Sequence, residues 1–278
     1  MKKILVPCDF SKPAIDAYRF ALDIAVKSKG IIHLLYVIEL PVLHDTTLMP
    51  VLSMEQEYMN DLKTKTEHRF EKLVRKYKTD VRVTSEVVFG SVNKTITDYA
   101  EEKALDTIIM GSHGSSGVKE FFIGSNTEKI VRHSLVPVFV LKEFYEGPIE
   151  KIILPVSFEI DDQKEFIAKI NSIQSFFEAH LLLVWINTPA LFTADTITIK
   201  RLELFAKRFG LKKFSIHIFN DFDEPTGIMN FTDINKGDLI LMGTHARKGI
   251  AHLLSGSITE DVVNRVKCPI MTCKISNT

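Results

Sequence analysis

The chain is written twice. KKILVPCDFS from Lys2 resembles EKIILPVSFE from Glu150, and IIHLLYVIE from Ile31 resembles AHLLLVWIN from Ala179. DTIIMGSHG from Asp106 resembles DLILMGTHA from Asp238, and SLVPVFVLK from Ser134 resembles RVKCPIMTCK from Arg265. The order is the same in both halves. A repeat of this kind constrains the fold more than any composition, because each half must be a complete unit of ordinary domain size. The join falls in KEFYEGPIEK, Lys142 to Lys151, where Gly147-Pro148 is a turn signal. The expected domains are residues 1–144 and 149–278. The second copy is about 15 residues shorter between His33 and Asp106 than the first. The extra residues are expected in Leu40 to Gln56, whose two prolines and lack of period read as a long loop.

Within the first copy, strand and helix patterns alternate. ILVPC, IIHLLYVIE, VRVTSEVVFG, DTIIMGS and PVFVLK read as strands. KPAIDAYRFALDIAVKSK, EYMNDLKTKTEHRFEKLVRKYK, SVNKTITDYAEEKA and SNTEKIVRHS read as helices, with Ser11 and Ser91 as caps. Continuous apolar strands between amphipathic helices predict an α/β fold with a parallel, doubly wound sheet. Such sheets bind ligands at the carboxyl ends of their strands, where the strand order reverses.

One such end carries glycines. DTIIMG runs into GSHGSSGVKEFFIGS, Gly111 to Ser125, a G-x2-G-x9-G-S spacing. Gly111 and Gly114 permit tight turning and close approach of backbone to a ligand. Gly124-Ser125 opens a helix whose free N–H groups and dipole favour an anion. Val118, Phe121, Phe122 and Ile123 are expected to pack between the two ends, giving a split phosphate cradle. The pattern is neither the dinucleotide GxGxxG nor a Walker loop.

Together with ILVPCDFS, VVFGS at Val87 and SLVPVFVLK, this spacing resembles the ATP-binding motif of the universal stress protein family. The resemblance covers essentially the whole chain as two tandem domains. It implies, for each, a five-stranded parallel sheet flanked by helices, of the adenine nucleotide alpha hydrolase-like type. Some members bind ATP and others do not. By matching position, the resemblance implies nucleotide-binding roles for Pro7, Asp9, Ser11, Val37, Gly90, Met110, Gly111, His113, Gly114, Gly124, Ser125 and Asn126. Asp9 would meet the ribose, Val37 the adenine, and Gly124 to Asn126 the phosphates. The ligand implied is ATP, or AMP or ADP, with Mg2+ as a candidate companion. In the second half the matching positions are Ser157, Gly243, His245, Ala246, Gly256 and Ser257. There Ser157 replaces Asp9, Ala246 replaces Gly114, and the acids of NDFDEP crowd the edge. An altered site is expected, paired with the first half through the last strands.

The rest narrows the function class. Lys plus Arg and Asp plus Glu both number 35. A neutral chain has no overall electrostatic reason to bind nucleic acid or an anionic membrane. No apolar run approaches the roughly 18 residues of a membrane span, and Ile4-Leu5-Val6 before Pro7-Cys8 is too short for a secretion signal. Three cysteines, Cys8, Cys268 and Cys273, fit a reducing cytoplasm. His33 and His180 read as satisfied histidines, Cys8 as a small buried hydrophobe, and no metal site is expected. No recognisable base accompanies Ser115, Ser116 and Lys119, so at most slow ATP hydrolysis is expected. The reading is a nucleotide-dependent stress-response regulator, with homodimerisation also open. The alternatives are a non-nucleotide interaction scaffold, or a small-molecule or metal sensor using the acidic NDFDEP region.

Overall fold

The computed structural model describes residues 1–39, 51–113, 124–157, 164–245, 262 and 266–275. In chain order the first half runs β1 (Lys3–Pro7), α1 (Lys12–Ser28), β2 (Ile31–Ile38), α2 (Val51–Lys76) and β3 (Arg82–Phe89). It continues with α3 (Val92–Glu102), β4 (Thr107–Gly111), α4 (Ser125–His133) and β5 (Val138–Leu141). The second half runs β6 (Lys151–Pro155), α5 (Lys164–Phe177), β7 (His180–Asn187), α6 (Asp195–Arg208) and β8 (Phe214–Asn220). It closes with α7 (Glu224–Asn235), β9 (Leu239–His245) and β10 (Ile270–Ile275).

All ten strands form one sheet, ordered β3-β2-β1-β4-β5-β10-β9-β6-β7-β8. Each half contributes five parallel strands. The single antiparallel step is β5 against β10, with Val140 opposite Ile270, Phe139 opposite Met271 and Val138 opposite Thr272. Helices cover both faces, as parallel strands require. Ile4 and Val6 face a core shared with Tyr18, Phe20, Phe70, Ile170 and Leu202. Leu5 faces the other, with Ile96, Ile130, Ile228 and Phe231.

Local signals explain most elements. Ser11 accepts from the Ala14 N–H at 3.4 Å and Pro13 lies in the first turn, so α1 starts there. Ser91 stands at the cap of α3 but makes no capping bond; its hydroxyl donates to Asn93 Oδ1 instead. The predicted loop Leu40–Gln56 is also shorter than expected. Residues 51–56 already belong to α2, because no glycine or proline interrupts the chain after Pro50. Residues 40–50 lie outside the described residues.

The repeat is visible in a shared clasp. Asp106, just before β4, accepts from the N–H of Lys2 and Lys3 at the start of β1. Asp238, just before β9, accepts from the N–H of Glu150 and Lys151 at 2.9 and 2.8 Å, at the start of β6. Asp238 also accepts from the Tyr145 hydroxyl at 2.7 Å. The connection is further pinned where the Arg19 guanidinium lies 3.7 Å from the Phe144 ring centre.

Replacing Asp238 with Ala removes three hydrogen bonds to a partly exposed carboxylate. The unfolding free energy should fall by about 1–2 kcal/mol, read as a lower urea midpoint, with Tyr145→Phe costing less. A second expectation concerns acid. Burial lowers the pKa of His33, with help from Lys103, Lys3 and Arg82; burial also lowers that of His217, with help from His180. A histidine depressed in the folded state binds its proton more readily when unfolded. Its contribution is intact above the ordinary value of roughly 6.5 and is lost as pH falls below it. Urea midpoints should therefore drop between about pH 7 and pH 5, and the drop should shrink in His33→Gln/His217→Gln.

Candidate functional site

The chain leaves β1 toward β2 and β3, then returns to place β4 on the other side of β1. The strand order of the first half therefore reverses between β1 and β4. Loops leaving the two strands there diverge and open a crevice at the carboxyl edge.

The β1 loop is held rigidly. Cys8 N–H donates to Leu35 O at 2.9 Å, and Ser11 N–H donates to Asp9 Oδ1 at 2.9 Å. Between them Phe10 adopts φ 63°, a left-handed conformation that an L-residue holds only under tertiary constraint. That constraint is aromatic. The Phe10 ring lies 4.9 Å from Phe70 and 5.7 Å from Tyr36, centre to centre, and the Arg69 guanidinium covers it at 3.9 Å. Sequence reading missed Phe10. Its one signal was an aromatic residue between two polar site positions. Cys8 is 2% exposed, and burial pushes its thiol up to about 12, so it remains a protonated small hydrophobe.

The β4 loop meets the start of α4 directly. Ser112 N–H donates to Leu141 O, and Ser112 O accepts from Gly124 N–H, both at 2.7 Å. The Thr127 hydroxyl donates to Gly111 O at 3.1 Å. Ser112 Oγ lies 3.0 Å from His113 Nδ1. The two glycine-bearing ends of the sequence motif are thus fastened to each other. Gly114, Ser115, Ser116, Val118, Lys119, Phe121, Phe122 and Ile123 lie outside the described residues. Gly124 occupies the cap of α4 without any side-chain hydrogen bond, and a Cβ there would lie 3.3 Å from His113 Cα. The first helical N–H groups, at exposed Ser125 and half-buried Asn126, have no carbonyl partner within the helix and present its positive end.

Gly111 is closely approached by another part of the chain. A Cβ at Gly111 would lie 2.6 Å from Pro13 Cβ and 2.8 Å from the Pro13 carbonyl carbon. The close neighbour is the first turn of α1, so this glycine joins the two loops to one another. Met110 is buried in the core with Ile96 and Ile130. Pro7 ends β1 beside Leu35. Val37 is half-buried beside Val88, one strand over. Gly90 follows β3, where its N–H donates to Ile38 O at 3.0 Å and a Cβ would strike Thr95 Oγ1 at 2.5 Å. Gly111 thus meets the first turn of α1, just past Asp9 and Ser11, and His113 meets Gly124, just before Ser125 and Asn126. Val37 and Gly90 stand along the same edge.

The second half reverses its order between β6 and β9. Exposed Ser157 follows β6, Gly243 lies in β9 opposite Cys273, and His245 ends that strand. Ala246, Gly256 and Ser257 lie outside the described residues. The acidic segment does not gather into a ligand set. Asp223 caps α7, accepting from the Thr226 N–H at 2.8 Å. Asp221 accepts from the Phe222 N–H at 2.7 Å and from Asn230 Nδ2 at 2.8 Å. Among the described residues no three of His, Cys, Asp and Glu gather to hold a metal. His33 Nδ1 lies 3.0 Å from Thr84 Oγ1, and His180 Nε2 lies 3.0 Å from Ser215 Oγ.

The universal stress protein family model matches residues 1–142 and 190–274. Universal stress protein MJ0577 of Methanocaldococcus jannaschii is 33% identical over 153 residues, which cover 51% of this chain and 94% of that protein. Universal stress protein G of Escherichia coli O157:H7 is 29% identical over 144 residues, covering 51% and 99%. The crystal structure of a universal stress protein from Archaeoglobus fulgidus DSM 4304 covers 98% of both chains with a TM-score of 0.73 at 18% identity, a likeness of fold. With the family model matched in both halves over well more than half of its length, this chain belongs to the universal stress protein family.

Proposed function

We propose that the chain is a stress-response regulator that binds an adenine nucleotide, ATP or its AMP and ADP relatives, in the crevice between β1 and β4. The observation that carries this is the fastening of Ser112 to Gly124. It holds the first N–H groups of α4 at the end of β4, on the strand-order reversal that the Asp9–Ser11 turn after β1 also borders. Phosphates suit the helix start. A carboxylate at Asp9 suits ribose hydroxyls, which it can only accept from. His113 would stand between them. Mg2+ would arrive on the phosphates, with phosphate oxygens among its ligands.

On this reading residues 1–144 and 149–278 are tandem domains. The second keeps the fold, with Ala246 at the position of Gly114 and its acids spent on capping α7. Binding, rather than turnover, is the function. Hydrolysis would run on the order of 10⁻³ s⁻¹ or slower, as in nucleotidases lacking a supplied arginine. A second reading, a protein-interaction scaffold, is favoured by Phe192 and Phe222, which are 73% and 88% exposed on the second half.

Calorimetric titration with ATP and Mg2+ tests the proposal, after acid denaturation to check for nucleotide retained through purification. One binding event per chain is expected. Asp9→Ala should weaken it about 10- to 100-fold, the worth of a charged hydrogen bond. Gly124→Val should abolish it, and Ser157→Ala should leave it intact. No heat and no retained nucleotide would overturn the nucleotide reading in favour of the scaffold.

A further inference from the structure

Where the two halves meet, a cavity of about 580 Å³ opens beside the connection between them. Its walls are the later turns of α1, the connecting residues Tyr145 to Glu150, the end of α5, and the residues at which β6, β7 and β8 begin. None of the described residues in the loops after β1, β4, β6 and β9 takes part, so the cavity is distinct from both crevices. Its volume is that of a small-molecule site, which runs from roughly 300 to 1,000 Å³. Gly147 helps to leave it open. The chain turns there at φ 135°, and a Cβ would meet nothing within 4 Å.

The lining joins an apolar wall to charges of both signs. Buried Phe20 and Ile24 and half-buried Tyr145 and Phe177 supply the wall. Tyr145 is held by its hydroxyl bond to Asp238, and Phe177 by an edge contact with Phe176, 4.8 Å between ring centres. The cations are already engaged by the chain itself. Lys151 Nζ donates to Asn235 O at 2.9 Å, and Lys213 Nζ donates to Glu178 O. Lys27 Nζ lies 5.3 and 5.6 Å from the Phe176 and Phe177 ring centres. The carboxylates are not engaged. Among the described residues, those of Asp23, Glu150 and Glu178 accept no hydrogen bond and form no salt bridge. Burial raises the Asp23 pKa, Arg19 offsets part of this, and Glu146 adds to it, as befits a carboxylate short of a close cation.

We propose that this cavity binds an organic ammonium ion with an apolar body, of the arylalkylamine class. The ammonium N–H groups donate to the open carboxylates, which can only accept. The apolar wall takes the body, and the ring faces favour the cation. An organic anion would have to draw the lysines from the carbonyls and rings that already hold them, and would stand among three unpaired carboxylates, a like-charge arrangement that disfavours it. Phe20, Asp23 and Ile24 belong to the first half, and Phe177, Glu178 and His180 to the second. The ligand would therefore touch both halves and bridge their junction. The inference stands or falls independently of nucleotide binding.

NMR titration of the full chain with 2-phenylethylammonium tests it, with phenylacetate as a similar ring bearing the opposite charge. The ammonium should bind with a dissociation constant of about 1 mM or below. Phenylacetate should bind at least about tenfold more weakly. Asp23→Asn/Glu150→Gln should weaken the ammonium at least about fivefold, the loss of charged hydrogen bonds. Lys27→Gln, which removes a like charge, should leave it unchanged or tighten it. Asp9→Ala, at the first crevice, should leave it unchanged. Asp23, Lys27 and Glu150 lie exposed, so circular dichroism should show their variants folded. No ammonium binding at about 10 mM, phenylacetate binding as tightly, an unchanged Asp23→Asn/Glu150→Gln, or weakening by Lys27→Gln or Asp9→Ala would overturn the proposal.

Discussion

The antiparallel contact between β5 and β10 organises everything else. Each half alone would end in a short strand with one bare edge, and each half needs helices on both faces of its sheet. Joining Phe139 to Met271 and Val138 to Thr272 buries both last strands at once. One apolar core then runs across the two halves, from Tyr18 and Phe70 to Ile170 and Leu202. The two strand-order reversals are consequences of the same topology. Each lies two strands inside the join, β1 with β4 on one side and β6 with β9 on the other. The fold therefore offers two crevices, and the local residues decide what each can do.

Those residues diverge in a consistent direction. In the first half, Asp9 turns back on Ser11, Phe10 is locked by Phe70, Tyr36 and Arg69, and Gly111 admits the first turn of α1. These contacts stiffen the crevice before any ligand arrives, and a ligand then loses less freedom on binding. In the second half the polar groups near the edge are taken up by local hydrogen bonds. Asp223 caps a helix, Asp221 holds Asn230, and Asn187 ties the Thr193 N–H to Asn220. Two large apolar side chains there, Phe192 and Phe222, stand exposed.

Much of the fold was legible in the sequence, and the reasons are specific. The duplication fixed the number of units, and apolar runs such as IIHLLYVIE marked strands buried on both faces. Ser11 and Pro13 placed the start of α1 because capping is local. What remained hidden depended on contacts distant in sequence. The clash that makes Gly111 glycine comes from Pro13, nearly one hundred residues earlier, and a glycine in a motif does not reveal which neighbour requires it. The left-handed Phe10 depends on Phe70 and Arg69 from another helix. Ser91 looked like a cap, but its hydroxyl found Asn93. The acids of NDFDEP looked like a ligand set because composition registers charge and not the N–H that each charge accepts.

This last confusion bears on how a duplicated domain changes function. A capping aspartate and a ligand-binding aspartate cost a sequence the same residue, and only the geometry separates them. Asp9 lies beside a helix start yet leaves the cap to Ser11, whose hydroxyl takes the Ala14 N–H. Asp223 is itself the cap. The first arrangement divides labour between two residues, and the carboxylate stays at the mouth of the crevice. The second uses the carboxylate itself as the helix cap, worth about 1 kcal/mol. With Ser157 in place of Asp9, the second crevice has lost the acid at its own β1-like loop and gained acids one strand too far out. On the proposed reading, ligand chemistry is lost at Ser157 while a helix cap is gained at Asp223, so a second half without nucleotide need not be a less stable one.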